Sequence, residues 1–376
     1  MSFIRLFFCL VLLNSYFCTY GQAPELSDKA EISLLTCGTG DQLYSIYGHT
    51  ALRIQDSEKG IDIVYNYGTF DFTTPNFYGK FIKGDLQYFV STSSFDEFNY
   101  SYVLDNREIT EQVLNLNPIQ KQELFNELGN VLSSEKRFYT YKFIDRNCTT
   151  MVADLINSVL KTKISTKIPD TEQTYRTILY GYLNNNFYEN LGINLMFGLK
   201  TDRQSDKLFL PTELQQGVSL SKNEGKNLVK EEKTVYKKVE TEESKSLWNN
   251  YITFILFMTL PIFFSGKRKF QLAWLTVNGL LGVFFSLVGL YSLHKEVLWN
   301  YNALLMNPAF LLLVFFVLKN NTTWVRRTVF FCGFCLSAYT IFICTKVQFF
   351  MMLPIILTNG IIVWNIFKKT NTAYKD

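Results

Sequence analysis

The sequence is poor in the residues that build metal centres and disulfide frameworks. Its 376 residues include two histidines, His49 and His294, and seven cysteines. Between residue 22 and the first long apolar segment only His49, Cys37 and Cys148 remain, with no close spacing among them. A structural zinc site needs about four such ligands, and a cystine framework needs several pairs. We therefore expect no metal and no other cofactor.

Strong charge of one sign is also lacking. The net charge of +4 is mild and no large basic patch is present, so a nucleic-acid partner is not expected. The glycine-bearing turn at residues 36–41 is not followed by the GK[ST] sequence of a nucleotide-phosphate loop.

The N-terminus has the pattern of a secretory signal peptide. Arg5 precedes an apolar run at residues 6–13, and the small residues Thr19 and Gly21 follow. Residues 1–21 are therefore predicted to be a signal peptide cleaved near Gly21, with a retained membrane anchor as the alternative.

The C-terminal third is dominated by five apolar stretches. They occupy residues 251–264, 270–293, 303–318, 329–345 and 349–367, and predict an all-α, five-span membrane domain over residues 249–369. The basic residues cluster in the first loop, the third loop and the tail at 370–376 with its preceding lysines, which places these in the cytoplasm by the positive-inside rule. Residues 22–218 then form an exported domain, joined to the membrane by a charged, solvated tether at residues 219–248.

The exported part is predicted to be an α+β domain in which His49 starts a strand. Residues 48–54 and 61–67 alternate in polarity around a polar loop, which is typical of a hairpin. If Ile54 faces Ile61, His49 faces Asn66, and cross-strand neighbours share one face of a sheet. Asn66 is therefore the candidate group that orients the His49 imidazole.

Cys148 begins a predicted helix. Apolar residues follow it at helical spacing, so the helix buries one face with Cys148 as its first member. The positive end of the helix dipole favours the thiolate, and Arg146 adds a nearby positive charge. A thiol nucleophile with a histidine base is one interpretation. The alternatives are a structural histidine and a core cysteine, or a Cys37–Cys148 disulfide.

Several segments resemble one known family. YSIYGHTALRI around His49, YNYGTFDF at residues 65–72 and RFYTYKFIDRNCTT around Cys148 look like the DUF4105 family, the Lnb N-terminal periplasmic domain. Further similar segments are TYRTIL, LFLPTEL and HKEVLWNYNALLMNPAF. Met151 departs from the pattern, because arginine is expected there in many relatives.

The resemblance implies a papain-like domain of the permuted NlpC/P60 type, with the histidine before the cysteine. It also implies a lipoprotein N-acyltransferase of the bacterial inner membrane. The acyl donor is then a membrane phospholipid, and the acceptor is the α-amino group of a diacylglyceryl lipoprotein. The family's histidine and cysteine fall on His49 and Cys148, and the preceding asparagine falls on Asn147.

The remaining site predictions concern substrate contacts. Aromatic side chains near the two motifs are expected to keep the site dry, and polar residues after the second span are expected to meet a headgroup or an amine. The full set is Tyr44, Tyr47, Arg53, Tyr65, Arg146, Asn147, His294, Asn300 and Asn302. For the polar residues at the span ends, packing and helix capping are an equal alternative.

Two other functions remain open at this point. The same Cys–His pair is suited to a membrane-bound hydrolase, either a phospholipase or a cell-wall peptidase. A non-enzymatic envelope sensor or scaffold would need neither residue for chemistry. The acyl chain, the headgroup and the set of acceptor lipoproteins are not specified by the sequence.

Overall fold

The computed structural model describes residues 24–240 and 246–372. The predicted signal peptide and the last residues of the tail lie outside this part. An N-terminal domain built on a β-sheet precedes a bundle of apolar helices, so the predicted order of an α+β domain followed by apolar helices is confirmed.

A seven-stranded antiparallel sheet forms the centre of the N-terminal domain. Its spatial order is β6-β4-β3-β2-β1-β5-β9, and a two-residue hairpin of β7 and β8 stands apart. The strands are β1 (Glu31–Cys37), β2 (His49–Asp56), β3 (Ile61–Thr69), β4 (Gln87–Ser94), β5 (Ile109–Leu114), β6 (Phe138–Thr140), β7 (Lys222–Asn223), β8 (Lys226–Asn227) and β9 (Val229–Tyr236).

Helices cover both faces of this sheet. They are α1 (Phe77–Lys83), α2 (Phe95–Leu104), α3 (Pro118–Leu132), α4 (Cys148–Val159), α5 (Tyr175–Tyr182), α6 (Phe187–Met196) and α7 (Pro211–Ser219). Alternate residues of β2 point to opposite faces. Leu52 and Ile54 join the larger core with α3 and α4, whereas Ala51 joins a smaller core with Phe98 of α2.

Five apolar helices follow the N-terminal domain. They are α8 (Tyr251–Phe264), α9 (Arg268–Tyr291), α10 (Ala309–Leu318), α11 (Thr322–Ile343) and α12 (Phe349–Thr372). In the described ranges, three of them, α9, α11 and α12, are long and apolar enough to cross a membrane. The shorter α8 and α10 have 14 and 10 residues.

The predicted tether is wrong in its central part. Residues 229–236 form β9, which pairs with β5 at the edge of the sheet. Most side chains of this strand are exposed, so its composition is that of a solvated segment. Charged residues on an edge strand also discourage pairing with other chains, which explains why lysines and glutamates are compatible with this position.

The hairpin register also differs from the predicted one. Ile54 pairs with Ile63 and Ala51 pairs with Asn66, because the turn begins after Asp56 rather than after Ile54. The displacement is two residues. Since side chains alternate with a period of two, each residue keeps its predicted face.

The N-terminal domain rests on the loop that follows α9. The backbone amide of Gly198 donates to the Glu296 carbonyl at 2.7 Å, and Lys200 forms ion pairs with both Asp145 and Glu296. Lys142 donates to the Leu293 carbonyl at 3.1 Å. The turn that carries Asp145 therefore connects the loop after α9 to the start of α4.

Candidate active site

Cys148 occupies the first position of α4, and Asn147 fixes it there. The Asn147 Oδ1 accepts the Thr150 amide at 2.9 Å, while its Nδ2 donates to the Phe143 and Phe209 carbonyls at 2.8 Å each. Both polar atoms of this buried side chain are therefore hydrogen-bonded within the protein. The predicted substrate contact of Asn147 is therefore replaced by a structural role, which holds the thiol at the positive end of the helix.

His49 approaches the thiol from the first residue of β2. With the Asn66 Oδ1 as acceptor, the His49 Nε2–H donates to it over 3.3 Å. In the neutral ring, Nδ1 is then the unprotonated nitrogen that can accept the thiol proton. The protonated ring is the form that lowers the pKa of Cys148. The phenol ring of Tyr102 stacks on the imidazole with centroids 6.4 Å apart and planes 14° from parallel.

The surroundings of Cys148 favour its thiolate. Burial raises the pKa of this thiol, but the charge of His49 and a hydrogen bond from its ring lower it, and so do hydrogen bonds from the Thr50 amide and the Thr149 hydroxyl. The balance puts the pKa of Cys148 below the ordinary value for a thiol. A thiolate beside an imidazolium can attack a carbonyl carbon, and the imidazolium can then give its proton to the leaving group.

Asn66 reaches His49 across the β2–β3 pair, beside an irregular part of β3. Asn66 is paired with Ala51 and not with His49, so the contact runs diagonally between the strands. The ladder to β4 is irregular between Asn66 and Thr69, and Gly68 has φ +94. A Cβ at Gly68 would lie 3.7 Å from the Cys148 Cβ, so this position is next to the thiol, and glycine is the residue that adopts its positive φ without strain.

An open cleft lies on the α2 side of the sheet beside this pair. Its volume is about 300 Å³, and its wall includes both His49 and Asn66. The other lining residues are mostly small and polar, with two aromatic rings: Gly68, Thr69, Ser91, Ser93, Glu97, Phe98, Ser101 and Tyr102. The cleft gives a second molecule access to the imidazole from solvent.

Residues 16–181 match the family model of the Lnb N-terminal periplasmic domain. This fits the resemblance to the Lnb family. No curated protein and no solved structure matches the chain. The matched range contains both His49 and Cys148. Together with the candidate membrane helices, it indicates a membrane protein with a periplasmic domain.

Two predicted substrate contacts of this domain lie in structural positions. Arg53 is buried between Asp62 and Glu111, donating to them at 2.7 and 3.1 Å, and its guanidinium covers the Phe95 ring at 3.4 Å. Tyr65 is buried in the larger core. Neither side chain is placed for substrate contact, because Arg53 lies four residues along β2 from His49 with its charge paired to Asp62 and Glu111, and Tyr65 points into the core.

The remaining aromatic and basic candidates differ in exposure and in their neighbours. Tyr44 is exposed and contacts the edge of Phe70. Tyr47 packs on Phe143 and Tyr182. The Arg146 guanidinium lies 5.2 Å from the Tyr139 ring. Substrate contact through Tyr44 or Arg146 stays a prediction.

The polar residues after α9 hold the two parts of the molecule together. Asn300 and Asn302 are buried and donate to the Leu195 carbonyl at 2.7 and 2.9 Å, and the Asn302 Oδ1 accepts the Tyr339 hydroxyl. His294 lies against α1, with Nε2 2.9 Å from the Phe81 carbonyl. These bonds are contacts of packing and capping, which was the alternative to substrate contact at these positions.

Sequence reasoning missed three aromatic residues beside His49 and Cys148. Tyr102 stacks on His49, and Tyr139 and Tyr141 lie near Cys148, where burial first and the thiol second raise the pKa of both phenols. The alternating tyrosines of residues 137–143 are a weak signal for the last two. Nothing in the spacing of Tyr102 relates it to His49.

Proposed function

We propose that this protein is a lipoprotein N-acyltransferase that works through a thioester on Cys148. The observation that carries the proposal is the Cys148–His49–Asn66 arrangement in a domain attached directly to membrane helices. The thiol pKa is lowered, the His49 tautomer is set by Asn66, and Lys142 and Lys200 tie the preceding turn to the membrane loop. Such a site is suited to a lipid acyl donor.

In the first half-reaction, the His49 Nδ1 takes the thiol proton, and the Cys148 sulfur bonds to an ester carbonyl carbon of a phospholipid. Backbone N–H groups at the start of α4 favour the oxyanion. The ester C–O bond then breaks, and the leaving lysophospholipid oxygen takes the proton from His49. Cys148 is left as an acyl thioester.

In the second half-reaction, the neutral α-amine of the lipoprotein's lipidated cysteine attacks the thioester carbon. The amine gives a proton to His49, the C–N bond forms and the C–S bond breaks. The released thiolate and the proton on His49 restore the starting state. One phospholipid and one amine thus give one lysophospholipid and one amide.

We also propose a fold type and a membrane topology. A cysteine at a helix start, a histidine on an adjacent strand and a third polar residue match the roles of a papain-like thiol enzyme of the permuted NlpC/P60 type. We further propose that α8 to α12 all cross the bacterial inner membrane, the shorter two with help from flanking residues, so that the catalytic domain is periplasmic.

The decisive test is mass spectrometry of lipoprotein N-termini in a strain lacking its own N-acyltransferases. The wild-type chain should convert diacyl to triacyl lipoproteins, and Cys148→Ala should not. Cys344→Ser, an exposed cysteine at the end of α11, is the matched control and should retain conversion. Lysophospholipid and free fatty acid without triacyl product would instead indicate a hydrolase, and full conversion by Cys148→Ala would overturn the thioester.

A further inference from the structure

An exposed apolar surface lies beside the candidate active site. The segment at residues 70–84 contains α1, none of whose residues is buried. Phe72, Tyr78, Phe81 and Ile82 are all exposed, Tyr78 to 75%. Contiguous apolar surfaces of this kind on a protein domain usually mark a binding site for another apolar body.

The 70–84 segment is joined to the end of a candidate membrane span. The Leu293 amide donates to the Lys83 carbonyl at 2.7 Å, and the Ser292 hydroxyl donates to the Ile82 carbonyl at 3.2 Å. Gly84 has φ +78, and a Cβ there would come within 2.9 Å of the His294 ring. The end of α1 is therefore closely fitted to the residues that directly follow α9.

This position puts the 70–84 segment at the level of the lipid headgroups. Helix α9 has 24 residues, which is enough to cross a bilayer, so its last residue, Tyr291, lies near the interface, where tyrosine is favoured. Leu290 and Tyr291 are themselves exposed, and the Lys83 ammonium lies 5.8 Å from the Tyr291 ring. The apolar surface thus continues from the span onto α1.

The positive charges near the end of α1 are suited to contact with anionic lipid headgroups. Lys80 and Lys83 both lie in the last turn, and Lys142 lies next to Gly84. Lysines close to a bilayer surface attract anionic lipid headgroups. Asp85 pairs with Lys83 at 2.6 Å and offsets part of this charge.

A chain of aromatic rings leads from this surface towards the thiol. Phe81 is 6.4 Å from Phe77, Phe77 is 5.8 Å from Phe70, and Phe70 is 5.3 Å from Tyr88. Tyr88 then stacks on Tyr141 with ring centroids 4.6 Å apart. Phe70, Phe77 and Tyr141 belong to the same apolar cluster as Cys148.

We propose that the 70–84 segment enters the headgroup region of the bilayer and guides a phospholipid acyl chain along these rings to Cys148. The occupant of the surface is a phospholipid, because the surface is continuous with a membrane span and bordered by lysines. Delivery of the acyl chain to Cys148 rests on the proposed function, whereas contact of α1 with lipid is independent of it.

The test is photo-crosslinking of the full-length chain in phospholipid membranes. Benzoylphenylalanine replaces Tyr78 in one variant and Tyr100 in the other, both in a Cys148→Ala background so that labelling needs no catalysis. Tyr100 is the matched control, since it is 64% exposed on α2, a helix that packs on β3 and β4. We expect phospholipid adducts at least tenfold more abundant at position 78 than at position 100.

Equal lipid labelling at both positions, or adducts of position 78 only to another protein, would overturn the proposal. A second measurement tests delivery. Tyr78→Glu combined with Ile82→Glu should lower triacyl lipoprotein formation at least tenfold, while Tyr100→Glu leaves it unchanged and alkylation of Cys148 stays normal in all variants. Lipid labelling at position 78 without any acyl transfer by the wild-type chain would refute the proposed function and leave the membrane contact standing.

Discussion

The two cysteines near His49 have opposite chemistry. Cys37, the last residue of β1, is paired with His49 in the β1–β2 ladder and is 1% exposed. Burial raises the pKa of its thiol to about 12, although Arg107 and the Tyr102 hydroxyl act in the other direction. Cys148 is partly exposed at the start of α4, and the pKa of its thiol is lowered. Both are free thiols in the structure.

The difference comes from the secondary structure that carries each sulfur. At the end of a strand the backbone amides are already paired across the sheet, and Cys37 is left in an apolar cluster with Leu35, Ala51 and Phe98. At the start of a helix the first amides have no partner within the helix, and Asn147 anchors the turn. Proximity to a histidine is therefore not sufficient for a reactive thiol.

The largest expected effect is the loss of activity on removing the Cys148 sulfur. Cys148→Ala or Cys148→Ser should lower triacyl lipoprotein formation by roughly 10⁴-fold or more, because no other group can form the thioester. Cys37→Ala should keep activity within a few-fold and cost about 1 kcal/mol of stability. If Cys37→Ala were as inactive as Cys148→Ala while still folded, the contrast between the two thiols would be refuted.

Alkylation rates provide the next contrast. Iodoacetamide reacts with the thiolate, so the rate at each cysteine follows the fraction ionised. At pH 8 a thiol with a pKa of about 12 is ionised to about 10⁻⁴. Cys148 should therefore react roughly 10³-fold faster than Cys37, with a half-maximal rate below the pH at which a free cysteine titrates. Peptide mass spectrometry after timed labelling measures both sites, and comparable labelling would contradict the assignment.

Replacement of His49 should have a smaller but still large effect. His49→Gln removes the base and the charge that favours the Cys148 thiolate, so activity should fall by about 10²- to 10³-fold. The pH at which Cys148 is half-alkylated should rise, because the cause of its lowered pKa is gone. Cys37 labelling should be unchanged. An unaltered pH profile at Cys148 would exclude His49 as its partner.

Asn66 should contribute least of the three. Asn66→Ala removes the acceptor for the His49 Nε2–H, and a loss of about tenfold is expected, equivalent to about 1.4 kcal/mol. Asn66→Asp keeps an oxygen at that position and should retain most activity. The conservative variant separates a positioning role from general damage, since both changes affect the same partly buried side chain. Equal losses in the two variants would argue against positioning through this oxygen.

The sequence was a good guide to the faces of the elements but not to distant contacts. The apolar stripe of α4 is seen as predicted, with Val152, Leu155 and Ile156 buried. The β2–β3 register was displaced by two residues, yet His49 and Asn66 still meet because a strand repeats every two residues.

Contacts between remote segments were not encoded in local spacing. Tyr102 reaches His49 from α2, and Arg53 is paired by Glu111 from a strand two positions away in the sheet. The lysines and glutamates of β9 have the composition of a linker, because an edge strand with two solvated faces has no apolar alternation to reveal it.

Intact-protein mass spectrometry tests the central claim most directly. Purified full-length protein is incubated with phospholipid in the absence of lipoprotein, and the sample is then split and treated with or without neutral hydroxylamine. The account predicts a mass increase of one acyl group, located on the Cys148 peptide, lost with hydroxylamine and absent from Cys148→Ala. An acyl group on Cys37, or lysophospholipid production by Cys148→Ala at the wild-type rate, would contradict it.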